Sequence, residues 1–295
     1  QRCNYCAFYL AVHRGPAPEA FCRALETEIA LYAAEPCFKG RQLASLYFGG
    51  GTPTVLKIDQ LAGLLDSVQR SFPLSPACEI TVDAHPATVT TRDLAALRDR
   101  GVTRISFGAE SLADDELANL GRPGTQAETI AAVMSARSGG FTDFNLDLMY
   151  GLPGQTLESW ERTLHRCIHV GPTHVSCYAL TVEEGTRLAH EVRRAQKQEP
   201  DESLQIEMDR SAQDILGCAG FEQYEISNYA RPGFQCRHNL LYWTQGEYLG
   251  VGPSEIERVI AAAAASALFG AAPDDGGGLR AVGHDALNAA VGLVG

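Results

Sequence analysis

Five short apolar runs recur along the chain: LASLYF (43–48), EITVDA (79–84), TRISFG (103–108), FNLDLMYG (144–151) and HVSCYAL (174–180). After each comes a stretch whose apolar residues are three and four apart: 57–71, 91–100, 113–120 with 125–138, 156–168, and 202–218. Short runs bounded by turn residues predict strands, and the three-four spacing predicts amphipathic helices. Strands joined through helices return in the same direction, so the repeat commits the chain to a parallel sheet in an α/β fold. A further helix over 17–34, with Phe21, Leu25, Ile29 and Tyr32 on one face, precedes the first run.

The chemistry-bearing residues gather at the strand ends. GGG follows the first strand, Asp83 ends the second, Glu110 follows the third and Asp147 lies in the fourth. In a (β/α) barrel the active site sits at the carboxyl ends of the strands. A doubly wound open sheet would concentrate such residues at one switch point. Polar groups at nearly every strand end fit the barrel better. The loop holding Cys3 and Cys6 precedes the first helix, where a further strand is expected ahead of it, so the barrel reads as one strand short at its N-terminus.

A formal net charge of −12 over 295 residues repels phosphate backbones and anionic lipid, so nucleic acid is not an expected partner. No apolar run reaches the ~18 residues of a membrane span, and the start is neither a signal nor a transit peptide, so no transmembrane segment and a cytoplasmic location are expected. Nine cysteines, an odd number with no secretory signal, argue against a disulfide framework. Cys22 in a helical pattern and Cys177 in a strand pattern read as small buried hydrophobes. Residues 222–250 are aromatic and polar with no clean period, as in a ligand-handling extension. After Ser254 the composition becomes nearly low-complexity.

Cys3 and Cys6 have ligand spacing in a loop. A zinc half-site would need two more ligands, for which Cys236 and His238 are available. A thioredoxin-type pair should open a helix after a strand. An iron–sulfur cluster, which takes thiolate ligands, is the sharper reading. YFGGGTPTVL (47–56) brings a glycine-rich backbone close to a ligand, but lacks the Gly-Lys-Ser/Thr of a nucleotide-triphosphate loop. Asp83, Glu110, Arg122 and Asp147 read singly as caps or surface charges. Together with the glycine loop they suit a ligand bearing amino, carboxylate and ribose groups, since arginine matches a carboxylate and carboxylates match an amine or hydroxyls.

These residues resemble the radical S-adenosylmethionine (SAM) enzymes, whose [4Fe–4S] cluster is held by Cys-x3-Cys-x2-Cys. Cys3 and Cys6 match the last two cysteines. The first would stand two positions before Gln1, so the sequence reads as beginning inside the cluster loop. CNYCAFY, YFGGGTPT, EITVDAHP, RISFGAESL, NLDLMYGLPGQT and YEISNYARPGFQCRHNLLYW occur in that order. The series resembles the family of oxygen-independent coproporphyrinogen III oxidases and related heme chaperones over about residues 1–254. The oxidases carry a further cysteine where this chain has Phe8. His238-Asn239-Leu240-Leu241-Tyr242-Trp243 matches the HNxxYW stretch of the chaperones. Both features favour a heme chaperone over the oxidase.

The resemblance implies a partial (β/α)6 TIM-like barrel over 1–220 with its first strand missing, a short irregular HNxxYW-containing extension over 221–254, and a tail of uncertain origin over 255–295. It implies that Cys3 and Cys6 ligate iron and that SAM chelates a further iron of the cluster. Tyr5 packs near the adenine. Gly50, Gly51 and Thr52 meet the methionine part of SAM, Arg122 and Asp147 contact SAM, and Ala179 lies near the adenine. Asp83 stands where the family usually has Glu, Glu110 where it has Gln, and His85 where the chaperones often have Asn. His238 is a candidate heme ligand. In the oxidases, a radical made from SAM abstracts hydrogen from a propionate side chain and CO2 is lost; if this chain is an enzyme, that is the reaction expected. In the chaperones, heme is bound and passed to respiratory proteins. A chain unable to assemble the cluster stands as a third reading of the 295 residues as written.

Overall fold

The computed structural model describes residues 3–7, 19–252 and 290–294. Strands β1 (Gln42–Phe48), β2 (Leu74–Ala84), β3 (Arg104–Glu110), β4 (Phe144–Tyr150) and β5 (His174–Ala179) lie side by side in chain order, every neighbouring pair parallel. Helix α1 (Glu19–Ala34) precedes β1. α2 (Ile58–Ser71), α3 (Thr91–Asp99), α4 (Asp114–Asn119) with α5 (Gln126–Ser138), and α6 (Leu157–Val170) link the strands in turn.

Alternate residues of each strand serve different surfaces, as a period of two requires. Leu46, Val82, Ile105, Phe107, Leu146 and Val175 are buried in one core with Leu61, Leu65, Leu94, Leu97, Trp160 and Leu164 from the helices. A large apolar side chain contributes about 1.5–3 kcal/mol on full burial, so this layer carries the stability of the sheet. The helices are cut to fit it. In α6, Thr156 caps the first turn by accepting from the Ser159 N–H at 3.2 Å, and Trp160, Leu164 and Cys167 form one buried stripe. The opposite parity is polar: Ser45, Thr81, Asp83, Arg104, Ser106, Asn145, Asp147 and His174. A barrel interior filled for packing alone would hold branched apolar residues here.

The sheet is curled around that polar face. Helix α9 (Arg237–Trp243) reaches β1 through His238 Nδ1, 2.9 Å from Ser45 Oγ. It reaches β5 through Asn239, which donates to the Tyr224 hydroxyl at 3.4 Å, itself 2.7 Å from His174 Nε2. On a flat sheet β1 and β5 would stand roughly 19 Å apart, while seven helical residues span about 10 Å. The polar parity therefore lines a lumen, and α9 plugs the end nearer the strand starts.

Helices α7 (Arg187–Arg193) and α8 (Glu202–Cys218) follow β5. The antiparallel strands β6 (Glu222–Gln223) and β7 (Asn228–Ala230) extend the sheet beyond β5, while β8 (Tyr248–Gly250) and β9 (Ala290–Val294) extend it beyond β1. The parallel α/β half-barrel matches the sequence expectation. Cys22 and Cys177 are buried as expected. Phe8 and residues 253–289 lie outside the described residues.

Candidate functional site

The cysteine loop is docked over the carboxyl ends of the strands by its backbone. Cys6 N–H donates to Cys3 O at 3.3 Å and closes a turn; Asn4 N–H donates to Leu120 O at 3.4 Å and Asn4 O accepts from Leu188 N–H at 2.9 Å. Gly121, at φ +64°, makes this docking feasible, because a Cβ there would fall 2.5 Å from Asn4 Nδ2. The next residue, Arg122, turns its guanidinium under the loop, with Nη1 3.5 Å from Cys3 Sγ. Its Nη2 donates to Gly108 O and stands 3.0 Å from Glu110 Oε1. A side chain at position 108 would put a Cβ 2.8 Å from that nitrogen, so the glycine in β3 is what admits the arginine.

Glu110 has φ +60°, a left-handed backbone that non-glycine residues adopt at a cost of about 1–2 kcal/mol. The β3–β4 register shifts between Gly108 and Glu110, and this irregularity sets the carboxylate against Arg122. Burial raises the Glu110 carboxyl, and Arg122 pulls it back. Burial works against the Arg122 charge, but Glu110 and then Tyr5 outweigh it and hold it protonated. Burial, then Glu110, raises the Tyr5 hydroxyl well above its ordinary range. Cys3, Tyr5, Glu110 and Arg122 thus form one partly buried group at the mouth of the lumen.

Asp83 and Asp147 lie deeper, on β2 and β4. Tyr47 donates its hydroxyl to Asp83 Oδ1 at 2.6 Å. Asp147 accepts from Ser106 Oγ at 3.0 Å and from Asn145 Nδ2 at 2.8 Å. Burial, reinforced by Asp147, lifts the Asp83 carboxyl to about 7.

Gly50, Gly51 and Thr52 run from the end of β1 into a short 3-10 turn, Pro53–Val55. That loop is tied to the end of β2, with Thr54 Oγ1 2.6 Å from Thr88 Oγ1 and accepting from His85 N–H at 3.3 Å. His85 Nδ1 accepts from Ala87 N–H at 3.1 Å, which leaves Nε2 to donate to Pro123 O at 3.0 Å, beside Arg122. Burial, then Arg122, lowers its pKa and keeps the ring neutral. Ala179 is exposed at the last position of β5. The expected ligand residues other than His238 and the mid-strand Asp147 are therefore on the loops and the carboxyl-end portions of the strands.

His238 is apart from them, in the plug. It is 1% exposed, and burial with Arg104 lowers its pKa to about 3, so the ring is neutral. The α9 N-terminus is held by Glu79 of β2, which accepts from the N–H groups of Arg237 at 2.9 Å and His238 at 3.1 Å, and from Cys236 Sγ at 3.3 Å. Cys236 and His238 are thus engaged at the far end of the lumen, which separates them from Cys3 and Cys6 and removes the zinc reading. His238 Nε2 is buried with no hydrogen-bond partner among the described residues.

The donor chemistry at the mouth fits an iron–sulfur cluster and SAM. Two thiolates are two of the three protein ligands such a cluster takes in Cys-x3-Cys-x2-Cys, and Arg122 stands ready for a carboxylate. Among the described residues, no group of three or more His, Cys, Asp or Glu side chains could hold a metal ion. A cavity of about 280 Å³ opens beside Cys3 and Asn4, bounded by Gly185, Thr186 and Arg187. Sequence reasoning missed Tyr47, Glu79 and Ser106: each is an ordinary residue inside a strand, and only the pleat shows that it faces the lumen.

A family model described as the radical SAM superfamily matches residues 1–167. The heme chaperone HemW of Mycobacterium tuberculosis is 40% identical over 255 residues, covering 85% of this chain and 65% of that protein. HemW of Escherichia coli is 36% identical over 257 residues, with the same two coverages. The chain therefore spans just under two thirds of the length of these relatives. Among solved structures, the coproporphyrinogen III oxidase HemN of Escherichia coli, described as a radical SAM enzyme, superposes with a TM-score of 0.72 at 28% identity, over 80% of this chain and 54% of that one. No helix among the described residues is long and apolar enough to cross a membrane.

Proposed function

The chain belongs to the radical SAM superfamily, and on that premise we propose that it acts in a heme chaperone, binding heme and delivering it to respiratory proteins, with a [4Fe–4S] cluster and SAM at the lumen mouth. Cys3 and Cys6 would hold the cluster through their thiolates. Arg122 receives the SAM carboxylate, and Gly50, Gly51 and Thr52 receive the methionine backbone. Asp83 and Asp147 face the ribose and the cationic groups, while Tyr5 and Ala179 border the adenine. A reduced cluster held there would supply one electron to the SAM sulfonium. The protein's own part is to place the ligand under a loop that shields it from water. The observation that carries this reading is the convergence of Cys3, Arg122, Glu110 and Asp83 on one mouth in a chain 36–40% identical to two HemW proteins.

The sequence features that favour the chaperone over the oxidase are Phe8 and the HNxxYW stretch, and the carboxylates of the lumen suit SAM. Asp147, Glu225 and Asp83 all act on Tyr178 of β5, and Glu110 lies at the mouth beside Arg122, with Arg104 deeper in the lumen. Carboxylates so placed suit SAM, which carries sulfonium and ammonium cations. The test is a chain carrying a cysteine two residues before Gln1, reconstituted without oxygen and supplied with SAM and reductant. On addition of one equivalent of heme, a Soret band of bound heme is expected, followed by its transfer to an apo-cytochrome. Absence of a bound-heme spectrum in the cluster-loaded chain would overturn the chaperone reading.

A further inference from the structure

We propose that Tyr47 is a positioning residue for Asp83, and that His238 of the plug in turn positions Tyr47, so that the HNxxYW helix and the SAM-facing carboxylate form one connected unit. This rests on the SAM site proposed above. Tyr47 is buried on β1 between the two. Its hydroxyl donates to Asp83 Oδ1 at 2.6 Å, and its ring lies against the His238 imidazole, with centroids 5.1 Å apart and planes 35° apart. His238 cannot drift from that position. Its Nδ1 is tied to Ser45 Oγ at 2.9 Å, its ring meets Tyr242 edge-on at 5.3 Å, and its backbone N–H is bound to Glu79. A chain of contacts therefore runs from the α9 N-terminus, through one aromatic pair, to the Asp83 carboxylate.

Asp83 is otherwise loosely determined. An aspartate side chain at the penultimate position of β2 has two rotatable bonds, and SAM binding needs it in one orientation. Ser106 and Arg104 face it from β3, Asp147 from β4, Tyr178 from β5 and Tyr47 from β1. Asp147 repels it. Ser106 is shared with Asp147 and Asn145, and Arg104 sits deeper, near Glu79, Asp143 and Cys236. Tyr47 is the neighbour whose hydroxyl serves Asp83 alone. A neutral donor bonded to a charged carboxylate favours the ionised form, so removing it has a signature that loss of packing does not share.

The experiment follows the Asp83 carboxyl stretch by isotope-edited infrared spectroscopy as pH is raised through 5 to 9 in the ligand-free chain, with Asp83→Asn assigning the band. Tyr47→Phe is expected to move the midpoint upward by about one pH unit, a tenfold change in proton affinity. His238→Ala is expected to move it the same way by a smaller amount, since the Tyr47 ring loses its support. A midpoint in Tyr47→Phe equal to wild type overturns the proposal, and an unmoved midpoint in His238→Ala overturns the link to the plug. Should Tyr47→Phe fail to fold, the tyrosine ring modes in ultraviolet Raman spectra of Asp83→Asn report the same bond. A change in the hydrogen-bond strength of Tyr47 is expected, and its absence refutes the bond. Because these readings need no SAM, failure of the SAM site is seen separately, as an unchanged cluster spectrum on SAM addition.

Discussion

Glu79→Gln tests how the plug is held. Glu79 is 8% exposed, and its two oxygens accept from the Cys236 thiol and from the backbone N–H groups of Arg237 and His238, at 2.9 to 3.3 Å. The helix has no side-chain cap of its own at Cys236, so a carboxylate on β2 performs that task across the lumen. Hydrogen bonds to a charged acceptor contribute about 1.5–3 kcal/mol, and a helix terminus favours negative charge by about 0.3–1 kcal/mol. Glutamine keeps one acceptor oxygen and turns an NH2 group towards the other backbone donor. The net loss is about 2 kcal/mol. For a chain of this size that lowers Tm by about 3–4 °C. Urea unfolding gives the free energy, and hydrogen exchange locates it: amides 236–243 should exchange faster while those of β3 and β4 keep their protection. A Tm within a degree of wild type, or faster exchange spread evenly over the sheet, would refute the capping role of Glu79.

Further expectations rest on single contacts. Arg122→Ala leaves Glu110, 11% exposed, without its counter-charge, so stability should fall by about 3 kcal/mol in urea unfolding and SAM should no longer alter the cluster spectrum. Asp83 has a folded pKa near 7, above its ordinary value, so the stability it contributes is complete below about pH 4 and is lost as pH rises through 7. Asp83→Asn should flatten that slope and exceed wild type by about 1–2 kcal/mol at pH 8, checked by urea titrations across the range. Trp160 is fully buried and donates its Nε1 to Met208 O at 2.8 Å. Trp160→Phe should therefore cost about 2 kcal/mol through the lost bond and the space left, with no change in SAM affinity.

The fold was legible because its signal is periodic. Each of the five parallel strands carries apolar residues aimed at helices, and helices such as α6 carry a stripe that any three-four count finds. The residues 222–250 were not legible: β6, β7 and β8 have two or three residues each and α9 has seven, too few for a period. Much of the mouth was legible through motifs in sequence order. Its internal logic was not. The need for Gly108 follows from the approach of Arg122, fourteen residues later. His85 gains meaning from the Pro123 carbonyl and Glu79 from α9, more than 150 residues on. Tyr47 reads as strand filler until the pleat turns it inward. Contacts between distant segments leave no spacing to read.

The most direct test of the SAM site is the electron paramagnetic resonance spectrum of the reduced cluster with and without SAM, in a chain carrying a cysteine two residues before Gln1. SAM chelating an iron of a cluster held by Cys3 and Cys6 should change the g-values, and Arg122→Ala should abolish the change. A fully loaded, reduced cluster whose spectrum is the same with and without SAM would contradict the account.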